Sequence, residues 1–417
     1  HGLWSLGPAN PRGARSMHDY SIGRVALILG LLQAVGPFAI DMYLPGMPSM
    51  GHELQASATG VQLTLMAFFV ALGFGQLFYG PLSDMLGRKR PLIAGLALFG
   101  LASIGCALAQ DIETLILLRF IQGLGACAAS VIPRAVVRDL YTGHEATRMM
   151  GLLMLVFSVS PILAPLAGSL LIDLAGWRSV FWAITGVAAI GGLLSTLGLK
   201  ETRPREQRTQ SSWSSAFSGY ALLLRDRHFL AMVRSGGLGM AGFMVYLANA
   251  SFVLINHYGL SAREFSLAFA LNAASFIGAA QFGPWLSRRF GMARLMRASL
   301  SGFALSMLGA ALSCWGGLPP LATLIGLLFV GYGCLGLTLP GVSVLAMDRH
   351  GAIAGTAAAL MGSLHFAVGA LAMLLVGWLG SGQPLAMLLG IAGCALASWA
   401  LGLAVLTGQR QAALTDV

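Results

Sequence analysis

The chain has 417 residues, of which 57% are hydrophobic and only 10% charged, with a formal net charge of +10. An ordinary soluble domain carries about 25% charged residues, so this chain cannot clothe its own surface in water. Lipid lifts that requirement, which excludes a water-soluble enzyme or nucleic-acid-binding domain and shifts attention from the size of the charge to its placement.

Residues 1–17 are turn-rich and too polar for a signal segment, and are expected to be a disordered N-terminal extension, with Met17 a plausible native start. Apolar stretches then follow near 22–45, 58–82, 92–110, 114–137, 147–172 and 178–199. A polar segment, Lys200 to Ser215, separates them from a second series near 229–256, 264–286, 292–314, 320–343, 351–376 and 384–406. Each supplies roughly the 20 apolar residues needed to cross about 30 Å of hydrocarbon. The pattern predicts an all-α membrane protein with 12 transmembrane helices in two pseudo-symmetric six-helix bundles, 18–199 and 229–406. Residues 200–228 are the expected cytoplasmic linker and 407–417 the expected cytoplasmic tail.

Orientation follows from the basic residues. With the N-terminus inside, the inner side gathers Arg88, Lys89, Arg90, Arg138 and Arg148, the linker arginines, and Arg288, Arg289, Arg294 and Arg297. The outer loops hold only Arg178 and Arg263. This asymmetry places both termini in the cytoplasm. The halves also echo each other: GPLSDMLGRKR (Gly80 to Arg90) closes the second span, and GPWLSRRFG (Gly283 to Gly291) closes the eighth. An echo at equivalent places points to a duplicated unit.

Ionisable groups inside hydrocarbon are costly and therefore candidates for function. Of the 15 acidic residues only Asp41 sits within a span; of the 25 basic residues only Arg119 is expected well inside one. Asp41 lies near the outer end of the first span, and Arg119 about a turn and a half into the fourth, which enters from outside. Their depths match, so they are expected to pair or compete across a shared cavity. A carboxyl balanced between desolvation and a neighbouring cation can load a proton in one conformation and release it in another. A static buried ion pair is the alternative. His365, the one histidine at comparable depth, is expected to be a hydrogen-bonded packing residue. The five cysteines are scattered in apolar runs without metal-ligand spacing.

GPLSDMLGRKR resembles the signature loop between helices 2 and 3 of the major facilitator superfamily, with Gly80, Asp84, Gly87 and Arg88 in register and Met85 where a basic residue is usual. The resemblance implies that Asp84 and Arg88 lock a cytoplasmic gate. LILLRFIQGLGA (Leu115 to Ala126) resembles the family's helix 4 motif, which links Arg119 to proton transfer. SVSPILAPLAG (Ser158 to Gly168) resembles, in degenerate form, the helix 5 motif of antiporters, carried here by Ser160, Pro161, Pro165 and Gly168. DMYLPGMP, PRAVVRDLY, GWRSVFW and SFVLINHYGLS are similar to segments of the bicyclomycin and chloramphenicol resistance exporters, the Bcr/CflA branch of drug:proton antiporters. That resemblance spans about residues 18 to 405. It implies a rocker-switch exporter whose helix 1 acid binds proton or cationic drug, with Gln33 standing where some relatives carry a second acid.

Substrate contacts are expected from apolar and aromatic walls with few polar groups; the candidates are Gln33, Phe38, Tyr43, Phe69, Tyr246, Asn249 and Asn272. No G-x-x-x-x-G-K-[ST] loop, HExxH or nucleophile elbow appears in the sequence. The expectation is a non-enzyme without cofactor or metal, driven by the proton gradient, which supplies ~2.3 kcal/mol per charge per 100 mV and ~1.4 kcal/mol per pH unit. The expected partners are an amphipathic drug, protons and the bilayer, and the expected state a monomer in a bacterial inner membrane. An importer or exporter of a native metabolite on the same fold is the alternative, and a membrane-embedded sensor or enzyme a third class.

Overall fold

The computed structural model describes residues 22–415 apart from 204, 209–211 and 349. The expected extension at 1–17 and the final two residues of the expected tail lie outside the described residues. Twelve helices are long and apolar enough to cross a membrane. They are spans 1 to 6, Ile22–Glu53, Ala58–Leu86, Lys89–Leu108, Ile112–Leu140, Gly143–Ala175 and Arg178–Gly198, and spans 7 to 12, Arg227–His257, Ala262–Phe290, Met292–Ser313, Leu321–Met347, Ala354–Gly380 and Pro384–Thr407. Among the described residues there is no strand.

Side-chain caps explain several of the starts, because the first amides of a helix lack internal partners. Ser57 accepts from the Gly60 amide at 3.1 Å and Asp111 from the Thr114 amide at 2.7 Å, and Ser261 forms a reciprocal capping box with Glu264. Asp226 caps span 7 through the His228 and Phe229 amides and meets His350 at 2.7 Å. Partial burial opposes its ionisation, but His350 and the two amides hold its pKa below the ordinary carboxylate value. Gly87 and Gly291, at φ +91° and +83°, terminate spans 2 and 8 in the left-handed region that favours glycine. The two echoing motifs thus end their helices in the same way.

The packing repeats the duplication. In the first half, span 1 packs on 4, 5 and 6, and span 4 on 2 and 3, while span 3 packs on 6. Adding six to each number gives the second half: 7 on 10, 11 and 12, 10 on 8 and 9, and 9 on 12. Between the halves, span 2 packs on 11 and span 5 on 8, a pairing that the same operation maps onto itself. The result is two related six-helix bundles meeting along two seams.

Two central spans depart from α geometry at corresponding ends. Span 1 is regular from Ile22 to Asp41, breaks, and resumes through a short 3-10 turn, Leu44–Gly46, into Met47–Glu53. Span 7 widens into a π-helical turn at Phe252–His257. Such interruptions in membrane helices expose backbone groups for use by a site.

The linker contains a helix that the sequence pattern alone did not mark, Trp213–Arg225. Ser212 caps it, Tyr220 donates to the Leu77 carbonyl at 3.0 Å, and Trp213 and Phe217 pack on Phe78 of span 2.

Candidate functional site

Asp41 is the last residue of the regular part of span 1 and only 5% exposed. Among the described residues its carboxylate has no ion-pair or hydrogen-bond partner. Arg119 on span 4 is fully buried, and it does not pair with Asp41. Its Nη1 donates to the Ala39 carbonyl at 3.1 Å and to Gln122 Oε1 at 2.6 Å. The reason is the break in span 1. A helix that stops at Asp41 leaves its last carbonyls without internal donors and carries partial negative charge at that end, which draws the guanidinium. The rings of Tyr43 and Phe68 cover the guanidinium at 4.6 and 4.4 Å. Nε and Nη2 of Arg119 remain buried without partners.

Gln122 passes the chain on to Ser103 at 2.7 Å, and Tyr43 is hydrogen-bonded to Thr64. Tyr43 therefore belongs to the aromatic cage around Arg119. Gly168 of the span 5 motif lies against the Met42 backbone, where a Cβ would collide with the carbonyl oxygen. Ser160 bonds back to the Val156 carbonyl at 2.8 Å, and Pro161 and Pro165 lie inside a continuous helix. The Pro165 carbonyl accepts from Ser266 of span 8 at 2.9 Å.

The loop after span 2 forms a second polar centre. Arg88, 6% exposed, binds Asp139 at the end of span 4 through Nε at 2.7 Å and Nη2 at 3.2 Å. Its Nη1 reaches Asp84 and Ser83, each at 2.7 Å. Burial works against the charge of Arg88, but Asp139 first and Asp84 second outweigh it and hold the guanidinium pKa above its ordinary value. Glu201, from the segment after span 6, accepts the Arg88 amide at 2.7 Å and the Lys89 amide at 3.2 Å, capping span 3. A Cβ at Gly87 would strike the Glu201 carboxylate. Arg203 donates to the Asp84 carbonyl at 2.9 Å and approaches its carboxylate at 3.5 Å. It thus supplies the cation that Met85 does not. Nothing in the sequence marks Asp139, Glu201 or Arg203 as partners of this loop. These partners all lie in the first half and the linker. Gly80 has open space around it, and nothing in the structure explains it.

The expected cavity residues divide. Gln33 is fully buried with both amide atoms unpartnered, and Phe38 is half-buried. Phe69 stacks on Phe366 of span 11 at 5.7 Å, joining the halves. Asn249 accepts from Gln62 of span 2 at 2.8 Å and from the Gly382 amide at 2.9 Å, so it ties the halves together and does not stand free. Thr59 donates to Ser381 at 2.8 Å across the same seam. These contacts, with Ser266 to Pro165, lie at the end remote from the Arg88 network. Tyr246 and Asn272 bond to each other at 3.0 Å inside the second half.

Two expectations need correction. His365 is not a fully hydrogen-bonded residue: its Nε2 is buried without a partner, beside Gly236. Nor is Arg119 the one basic residue inside a span. The span 4 helix runs on to Leu140, so Arg134 lies within it, with a buried and unpartnered Nε.

The model of the Major Facilitator Superfamily matches residues 29–373. The uncharacterized MFS-type transporter YdgK of Bacillus subtilis (strain 168) is 37% identical over 360 residues, which cover 85% of this chain and 88% of that protein. The bicyclomycin resistance protein homolog of Haemophilus influenzae is 29% identical over 349 residues, covering 83% and 86%. Multidrug resistance protein D of Escherichia coli (strain K12) is 31% identical over 354 residues, covering 81% and 84%. In fold the chain is similar to the crystal structure of a D-xylose-proton symporter, with a TM-score of 0.72 at 15% identity over 91% of this chain and 98% of that one. The bicyclomycin and multidrug resistance names agree with the exporter branch to which the motifs of spans 1, 4, 6 and 7 point. Twelve spans in two matching bundles, the glycine-ended loop at Arg88 and the family match together establish that the chain belongs to the major facilitator superfamily.

Proposed function

We propose that the chain is a proton-coupled exporter of amphipathic, antibiotic-like molecules that works by alternating access in a bacterial inner membrane. The observation that carries this reading is Asp41: a buried carboxylate without a partner, at the break of a central span. An uncompensated charge in that position is expensive, and taking up a proton or a cationic substrate removes the expense. Arg119 is held on the Ala39 carbonyl at the end of the same helix and does not pair with the acid. The drug-resistance names of the relatives support export of drugs over movement of a native metabolite.

In this reading residues 18–199 and 229–406 are the moving bundles, 200–228 joins them, and the protein acts as a monomer. The excess of Lys and Arg puts the Arg88 network and both termini on the cytoplasmic side. Asp84 and Arg88 then brace the cytoplasmic end of the first bundle, while Gln62, Asn249, Thr59 and Ser381 latch the outer end. Cells expressing the chain should accumulate less of a fluorescent drug, and a protonophore should reverse the difference. Accumulation that is unchanged or increased contradicts export.

The latch gives a second expected result. Thr59→Cys combined with Ser381→Cys, placed where the native hydroxyls are 2.8 Å apart, should cross-link readily under oxidation. Transport should stop when the bond forms and return on reduction. Continued full transport by the cross-linked protein would show that this seam does not open.

A further inference from the structure

The two echoing loops differ in charge. The loop after span 2 meets its own acids: Asp139 and Asp84 hold Arg88, and Glu201 caps the start of span 3. In the loop after span 8, Met292 follows Gly291 where Arg88 follows Gly87, and the stretch from Gly283 to Arg297 holds four arginines and no acid. Arg288, Arg289 and Arg294 are exposed and Arg297 is half-buried. None of the four forms an ion pair among the described residues. Arg288 Nε donates to the Pro284 carbonyl and Arg297 Nε to the Ala293 carbonyl, each at 3.2 Å, which engages one nitrogen of each guanidinium. The start of span 9 has no side-chain cap.

An apolar face of span 8 runs into this loop. Leu267, Leu271, Phe282 and Trp285 are 49% to 63% exposed, and at 100° per residue they fall within about 60° of one another. Spans 5 and 8 meet at the outer end through Ser266 and Pro165, so Leu267 and Leu271, exposed beside that contact, face lipid. Phe282 and Trp285 continue the same face toward the other end. Arg289 lies one turn beyond Trp285 on this face, its guanidinium 5.5 Å from the Trp285 ring and 5.7 Å from the Phe290 ring. Stacking occupies the plane of a guanidinium and leaves its edge N–H groups, the fork that fits phosphate. A tryptophan at the end of a lipid-facing stripe stands at headgroup level.

We propose that the loop between spans 8 and 9 is a docking site for an anionic phospholipid, in the leaflet on the side of the Arg88 network. Arg288, Arg289 and Arg294 hold the headgroup phosphate, and the acyl chains lie along Phe282 and Trp285. Charge complementarity selects the occupant. A zwitterionic lipid leaves the net charge of the four arginines in place, whereas an anionic one offsets it. The first half meets the charge of its loop with Asp84, Asp139 and Glu201; the second half meets it with the membrane. The inference holds whatever the protein carries, so it and the exporter reading fail separately.

The test uses the purified full chain in phosphatidylcholine vesicles with a rising fraction of phosphatidylglycerol. Photoactivatable forms of both lipids label the chain, and mass spectrometry maps the labelled peptides. At equal mole fraction the anionic probe should label the stretch from Phe282 to Arg297 severalfold more than the zwitterionic one. Its preference for the stretch from Gly80 to Arg90 should be smaller. Arg289→Gln should raise the half-saturating fraction of phosphatidylglycerol about fivefold, and Arg288→Gln combined with Arg289→Gln about 25-fold, since each basic residue near the surface contributes about fivefold. Neither arginine holds an acid among the described residues, so both variants should unfold at the native temperature. Equal labelling by the two probes, an equal anionic preference at both loops, or an unchanged half-saturating fraction in the double variant overturns the site.

Discussion

Asp41→Asn is expected to reduce proton-driven drug export in proteoliposomes to the level of protein-free vesicles while leaving the protein folded. Asn has the same shape and cannot carry the proton. Because the native carboxylate has no ion-pair or hydrogen-bond partner among the described residues, the exchange removes no native polar contact. The unfolding temperature should therefore shift by no more than a few degrees, as for substitutions outside the named destabilising mechanisms. Downhill movement of substrate should persist, since the alternating bundles remain. Full drug/proton exchange by this variant would remove Asp41 from the mechanism. A variant that fails to fold would mean that the acid has a structural role.

The second large effect is expected at Arg88. Its guanidinium satisfies Asp139 with two hydrogen bonds and reaches Asp84 and Ser83 as well. Arg88→Ala leaves the largely buried Asp139 carboxylate, whose side chain is 13% exposed, with the Thr202 hydroxyl at 3.0 Å but without its cation. Breaking a buried pair from one side costs about 3–5 kcal/mol, against 0–1 kcal/mol for an exposed one. Arg88→Lys keeps the charge but not the fork that grips Asp139, so it should fall between the native protein and Arg88→Ala. Chemical or thermal unfolding in detergent checks the order. A loss of less than about 1 kcal/mol in Arg88→Ala would mean that the network is solvated and does not brace the end of the bundle.

Much of this architecture is legible in the sequence, and the reasons are physical. Span number follows from the count of apolar runs, because hydrocarbon tolerates little else; span edges do not, since span 1 runs on to Glu53 and span 4 to Leu140. Asp41 and Arg119 stand out for the same reason, as charges where charge is costly. Their relation does not. The partner of Arg119 is the Ala39 carbonyl, a backbone group that no letter of the sequence marks and that becomes available only because span 1 breaks. Pro45 and Gly46 hint at that break without fixing what it frees. Glu201 and Arg203 sit in a polar linker where every residue looks alike, and only tertiary packing brings them to Arg88 and Asp84. Arg134 was readable as a charge within the fourth apolar run, but its closeness to the basic end disguised it. The linker helix had a local signal in Ser212 followed by Trp213, Phe217 and Tyr220 at helical spacing, and the surrounding charge masked it. The sequence marks Asn249 as a candidate substrate contact and does not mark Gln62; only the seam between the bundles shows that they bond to each other.

In the proposed mechanism Asp41 is the group that exchanges a proton for substrate. The most direct measurement is proton release by the purified protein in weakly buffered solution when drug is added. The native chain should release about one proton per bound drug, and Asp41→Asn should bind drug and release none. Equal release by the two proteins would contradict the claim.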